Sequence, residues 1–349
     1  MIDNIIINKA FVPEYPGEWA GGLIQVNTKD IPSKDFFNIQ IGTGFNTQTT
    51  GKAFYSDRSK GKTDWLGIDD GTRALPSSYT TKADFDQLSA AEKTAIGKQL
   101  RNGNNWKPVQ STAPLTLSFQ VNGGFNTKVF GKIVGGTIGI IYNKTNKYTE
   151  LLNRDNQRFE NLNGQPVFSV NANFDDDKYQ KDITVGAIGS FAVQLNSSNK
   201  VSLKTIVNVN SSNAVTLRQG SDFTRQDDIK GTEFTFKQNT FYTVQLAGEH
   251  NVVKPLKLKW YGAFNILDGY IPDQRRILYS RSLGSNDPYS LVASNVLSQQ
   301  NGSRVFQNLN DYIYTAGGDL AYNFDVAHKK QTIKAGYMLQ IKDRLYDGK

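Results

Sequence analysis

LTLSFQVNGGF, residues 115–125, alternates. Leu115, Leu117, Phe119, Val121 and Phe125 fall on one side of an extended chain, with Thr116, Ser118, Gln120 and Asn122 on the other. Side chains point to opposite faces in turn along a strand, so this period of two predicts one apolar and one polar face. FFNIQIGTGFN (36–46), ITVGAIGSFAVQL (183–195), LKLKWYGAFNI (256–266), YIYTAGGDLAYNF (312–324) and TIKAGYMLQIK (332–342) read the same way. In 183–195 the apolar side holds Ile183, Val185, Ala187, Phe191, Val193 and Leu195. In 256–266 Leu256, Leu258, Trp260, Phe264 and Ile266 stand against Lys257, Lys259, Tyr261 and Asn265. About nine strands result, near 36–46, 114–126, 132–146, 180–195, 200–217, 232–250, 256–277, 305–324 and 331–346.

These strands run to ten residues or so, against about 5–6 in soluble proteins. A tilted strand needs about 9–11 residues to cross a bilayer. The connections alternate as well. Short ones fall at 126–132, 195–200, 251–255 and 325–331, and long ones at 47–113, 147–178, about 218–232 and about 279–305. Short turns at one end and long loops at the other predict an all-β, antiparallel, transmembrane β-barrel segment. Tyrosines near strand ends (Tyr142 and Tyr148, Tyr261 and Tyr270, Tyr312 and Tyr314) fit aromatic girdles at the membrane interfaces, although tyrosine favours strands anyway. One helix is expected within the longest connection, at ADFDQLSAAEKTAIGKQLRN (83–102), with Phe85, Leu88, Ala91, Ala95 and Leu100 at helical spacing.

Composition narrows the chemistry. With no cysteine in 349 residues there is no disulfide, thiol nucleophile or thiolate site. Only two histidines occur, His250 and His328, both read as surface residues beside turns. Mean hydropathy is −0.49 and no run approaches the roughly 20 apolar residues of a membrane helix, a test that overlooks β-barrels. The +8 net charge is scattered without a basic helix or basic–aromatic cluster, so a solvated loop surface near lipid phosphates is favoured over nucleic acid. MIDNIII at the start lacks a basic segment followed by an apolar run, so no signal peptide is visible.

A stretch of different texture precedes the strands: EYPGEWAGGLIQVNTKDIP (14–32). With it, the chain resembles the TonB-dependent outer-membrane receptors, in particular those of the Bacteroidetes type. In that family a small plug domain ends in a Gly-Gly strand with the character of GGLIQVNTK, and a barrel of about 22 strands follows. Here the motif runs from Gly21 and Gly22 to Lys29, with Asp30-Ile31-Pro32 as linker. LGIDDGTRALPSSY (66–79), NNWKP (104–108) and PLTLSFQVNGGF (114–125) look like the family's first outward loop and second strand. The resemblance implies residues 1–32 as the C-terminal end of a plug, with DNIIINKAF (3–11) as its preceding strand, and 33–349 as the first part of the barrel. Leu23, Ile24 and Val26 would pack into the plug sheet, and Pro32 would end pairing. It also implies a fragment, since signal peptide, coupling box and most of the plug and barrel are not found.

No catalytic constellation appears: no GxSxG, no HExxH and no phosphate-binding glycine loop. No enzyme activity, cofactor or metal is expected. Asp175-Asp176-Asp177 lacks the spacing of a calcium loop and is read as a solvated loop. Trp65, Asp69, Asp70, Arg73, Tyr79 and Trp106 of the first loop are the candidate ligand contacts. The alternative for the aspartates is a turn in which they bond local N–H groups, and for the aromatics packing within an ordered loop. The function implied by the resemblance is active uptake of a scarce nutrient such as a siderophore, oligosaccharide or peptide. It would work across the Gram-negative outer membrane with a TonB-type energy-coupling complex, and a surface lipoprotein is a possible further partner. A passive porin or adhesive barrel is the alternative, and a soluble all-β carbohydrate-binding module a third.

Overall fold

The computed structural model describes residues 2–10, 21–100, 106–160, 163–292 and 302–349. Strands β1 (Ile2–Asn8) and β2 (Leu23–Thr28) form a small antiparallel sheet with Asn8 opposite Leu23. β3 (Phe36–Gly44) follows. The first loop then carries β4 (Ala53–Ser56), a 3-10 turn (Asp64–Leu66), helices α1 (Lys82–Gln87) and α2 (Ala90–Gln99), and β5 (Val109–Thr112), which pairs with β4. The remaining strands are β6 (Thr116–Val129), β7 (Lys132–Glu160), β8 (Pro166–Asn196), β9 (Asn199–Asp222), β10 (Asp227–Val253), β11 (Leu256–Ser282), β12 (Ser290–Leu291), β13 (Ser303–Val326) and β14 (Lys329–Gly348).

All nine predicted strands are present. They form one antiparallel meander in the order β14-β13-β11-β10-β9-β8-β7-β6-β3, with β12 added against β11. The sheet is open, and among the described residues its end strands β3 and β14 are not paired to each other. At one end the turns are tight. Phe130-Gly131 and Ala327-His328 are all left-handed (φ 50, 75, 48 and 62°), as two-residue hairpins of a right-twisted sheet require.

The other end departs from expectation. The connection placed at 147–178 is mostly strand: β7 and β8 stay paired from Tyr148↔Tyr179 out to Glu160↔Pro166. Likewise 218–232 is a hairpin tip between β9 and β10, which pair from Asp222↔Asp227 inward. The Asp175–Asp177 run lies within β8, and Asp176 is buried. Alternation reports which face is apolar, and these outer halves have no apolar face to report; the backbone ladder continues without it.

Register shows where polarity lies. Ile39, Val121, Ile140, Ala187, Val207, Tyr242, Ile266 and Tyr312 are successive cross-strand partners over eight strands. Phe37 (69% exposed), Ile138 (57%) and Ile341 (58%) share that face. Over 134–142, 185–193, 201–209 and 333–341, each about nine residues long, this face bears no charged side chain. The opposite face is mixed and carries the charges, among them Lys200, Lys204, Glu249, Lys257, Lys259 and Asp319. Charged groups are meanwhile among the most buried in the chain: Arg275, Asp311, Arg73 and Asp273 are each almost fully covered.

Of the six tyrosines near strand ends, Tyr142, Tyr270, Tyr312 and Tyr314 lie on the apolar face. Tyr261 shares the mixed face with Lys259 and Asn265, and Tyr148 packs with Phe54, Tyr55 and Tyr179 under the first loop. His250 is half-buried: its Nε2 accepts from Trp260 Nε1 (3.0 Å) and its Nδ1 pairs with Asn199 Oδ1 (2.8 Å), so it is not a plain surface residue. His328 is exposed, in the turn. The single predicted helix is two. Ser89 is a capping-box N-cap, with Glu92 bonding back to its N–H (2.8 Å), and this starts α2 afresh after Leu88. Residues 101–102 of that prediction lie outside the described residues.

Candidate functional site

The six loop candidates do not form one open pocket. The structure gathers Asp69 and Arg73 with Asp64, a residue the sequence reading did not single out. Arg73 Nη1 donates to Asp64 Oδ1 and Asp69 Oδ1, both at 2.8 Å, and Nη2 to the Ser59 carbonyl at 2.8 Å. Its guanidinium lies over the Phe236 ring, 4.4 Å from the centroid. Burial pulls the Arg73 pKa down, but Asp64 and Asp69 outweigh it and hold it raised, so the cation stays charged. Asp69 also receives Gly71 N–H, and its own N–H donates to Gln238 Oε1 (2.9 Å) on β10.

Asp70 is exposed and makes a local turn. The Thr72 hydroxyl, then the Lys62 and Thr72 N–H groups, hold its carboxyl at about 2. Trp65 is exposed, and its carbonyl accepts from Tyr142 OH (2.9 Å). Tyr79 packs against Phe85 with centroids 5.1 Å apart, away from the others. Trp106 lies 6.0 Å from the guanidinium of Arg275, which is ion-paired to Asp57 and also sits over Phe234. Arg275 follows a bulge at 271–274, where Asp273 (φ 57°) binds Arg304 through both oxygens at 2.7 and 2.6 Å.

These contacts fasten the first loop to β7, β10 and β11. Tyr142, Phe234, Phe236 and Gln238 all belong to the face that carries the apolar band further along the strands. The loop therefore covers that face, with the aspartates bonding local N–H groups as in a structural turn. Arg275, Asp57, Asp273 and Arg304 escaped sequence reading because their partners lie on other elements, up to 218 residues away.

On the mixed face, residues 29–35 are anchored. The Lys29 carbonyl accepts from Ser190 Oγ (3.3 Å), and the buried Pro32 presents its carbonyl to Asn126 Nδ2 (2.8 Å). Asp30 pairs with Lys200 (2.9 Å) and Lys204 (2.7 Å). Gly135 leaves room for Ile31, whose Cγ2 would stand 2.8 Å from any added Cβ. Gly21 takes φ +93°, as its glycine suggests, but Gly22 would accept a side chain without crowding. Residues 14–20 and Phe11, and the NN of NNWKP, lie outside the described residues; so do the side chains of Ile24 and Val26, while Leu23 is half-buried.

Burial pushes Asp30 up, and Lys204 and Lys200 outweigh it, leaving its pKa below the usual 3.8. A carboxylate lowered in the folded state stabilises it above the unfolded pKa and loses that contribution as pH falls through the folded value. Proteolysis between 29 and 35 is therefore expected to rise as pH drops below about 3.8. D30N should already be cleaved readily at neutral pH, with little further change; an unaltered pH profile in D30N would remove the anchor's role.

Further out on the same face, β8–β11 enclose a cavity of about 490 Å³. Its walls hold two ion pairs. Arg218 donates Nε and Nη2 to the two oxygens of Asp176, both at 2.7 Å, and Arg276 Nε donates to Glu233 (2.8 Å). Among the described residues no group of three or more potential metal ligands occurs. No protein-family model matches the chain, and no curated protein does.

Proposed function

We propose that the chain is part of an outer-membrane active-transport receptor of the TonB-dependent type. The carrying observation is the inverted polarity of the sheet. One face is apolar, exposed and free of charge for about nine residues on strand after strand, a length suited to a tilted crossing of a bilayer. The other face carries lysines, carboxylates and a cavity. Tight turns lie at one end and a long structured loop at the other, the asymmetry of outer-membrane barrels. The anchored segment 29–35 suits a chain leaving a plug on the lumen side, and the GGLIQVNTK resemblance points the same way. In this reading further strands complete the barrel between β14 and β3, and a TonB-type complex pulls on the plug to drive a nutrient inward. A surface lipoprotein as capping partner stays compatible with the exposed outer tips.

The absence of cysteine makes labelling direct. Single cysteines at Val207 and Asn208 sit on opposite faces of β9, and one at Thr224 sits at the β9–β10 tip. In intact cells a bulky impermeant maleimide should label the Thr224 site. A small cationic thiol reagent should label the Asn208 site and leave the Val207 site unreacted. Equal labelling at 207 and 208 sinks the membrane reading. The expected pattern with uptake indifferent to the proton-motive force would instead leave a passive barrel.

A further inference from the structure

We propose that the cavity on the mixed face of β8–β11 binds a short acidic peptide. The inference deepens the transport reading by naming a ligand class, and it rests on that face being the lumen.

The cavity wall is predominantly cationic. Five cations line the cavity (Lys178, Arg218, Arg225, Lys237, Arg276) against three carboxylates (Asp176, Asp222, Glu233). The carboxylates are already engaged. Asp176 holds Arg218 through both oxygens, Glu233 receives Arg276, Thr235 and Gln274, and Asp222 accepts Thr224 and Arg225 N–H groups at its tip. Lys178 and Lys237 have no ion pair among the described residues, and Lys178 is half-buried. No acceptor among the described residues takes Arg218 Nη1. A half-buried cation without a counter-ion is costly, and an incoming carboxylate relieves that cost.

Register aligns these groups across the sheet. Lys178, Thr216, Glu233 and Arg276 are successive cross-strand partners, so one lysine and one arginine cap the two ends of a single row across four strands. The row belongs to the face that anchors Asp30. It lies 12 residues along β9 from Lys204, roughly 40 Å further out at about 3.3 Å per residue. The volume falls within the roughly 300–1,000 Å³ of small-molecule sites.

The apolar part of the lining separates ligand types. Leu151, Phe174, Ile229 and Leu278 add apolar wall. The Arg218 guanidinium, 4.9 Å from the ring centroid, covers one face of Phe174 and closes that face to a stacking sugar. Cations beside aliphatic wall suit acidic side chains next to apolar ones.

The test is binding by the full chain in detergent. The probes are acetyl-Asp-Leu-Phe-Asp-amide, its Asn-for-Asp counterpart of the same shape, and trigalacturonate. The acidic peptide should bind at least about tenfold tighter than the neutral one, with affinity falling as salt rises. K178Q and K237Q should each weaken it about tenfold, and K93Q, on α2, should leave it unchanged. The exposed Lys237 keeps the test usable where K178Q fails to fold. Equal binding of the neutral peptide, or no binding of the acidic one at about 1 mM, overturns the site. Tighter binding of trigalacturonate overturns the peptide class. The assay needs no energy coupling and no membrane, so cysteine labelling and peptide binding fail independently.

Discussion

Replacing Arg73 with alanine is expected to detach the first loop from the sheet. The substitution leaves Asp64 and Asp69 buried without their cation, and the Ser59 carbonyl and Phe236 ring without their cover. Removing one partner from a buried ion pair costs about 3–5 kcal/mol, because the remaining charge keeps its desolvation penalty. Lysine should rescue little, since one ammonium cannot reach two carboxylates and a carbonyl with the planar fork of a guanidinium. Limited proteolysis between 57 and 113 should therefore rise sharply in R73A and R73K, while the strands keep their far-ultraviolet signal. The double change D64N/D69N in the R73A background should recover part of the loss. Unchanged protease resistance in R73A would mean that the loop is held by other contacts, with the Arg275–Asp57 pair the first to examine.

The second large effect concerns a single step along one strand. V207R places a charge in the middle of the uncharged apolar face, and N208R places the same charge one residue on, on the mixed face. In the proposed membrane setting the first should destabilise by about 2–4 kcal/mol and the second by much less. Urea-dependent folding into lipid vesicles measures both. In lipid-free detergent micelles the gap should narrow, because a micelle deforms around a charge more readily than a bilayer. Equal effects at the two positions would contradict the inverted polarity on which the functional proposal stands.

Both predictions depend on facts of unequal visibility in the sequence. The apolar face was legible: Leu117, Phe119 and Val121, or Trp260, Phe264 and Ile266, alternate with polar residues, and the structure places each set on one side. The outer halves of the strands were not. Residues such as 147–160 lie where neither face is selected to be apolar, so the period vanishes while the hydrogen-bond ladder persists. Tyr261 and Tyr270 looked alike as strand-end tyrosines and lie on opposite faces, being an odd number of residues apart on one unbroken stretch of ladder, while the bulge at 271–274 resets the side only for the residues beyond it, such as Arg275 and Arg276.

The candidate site divides in the same way. Asp69 and Arg73 are four residues apart and could be suspected together from sequence. The cavity's pairs, Asp176 with Arg218 and Glu233 with Arg276, are 42 and 43 residues apart and meet only through register. The sequence by itself determined an all-β chain of about nine strands, each with one apolar face, and a glycine-led segment preceding them. It could do so because period and turn chemistry are local. Tertiary structure alone decided which charges neutralise one another, that the first loop covers the apolar-side face, and where a cavity opens on the other. Those outcomes depend on strand register, which no short stretch of the chain encodes.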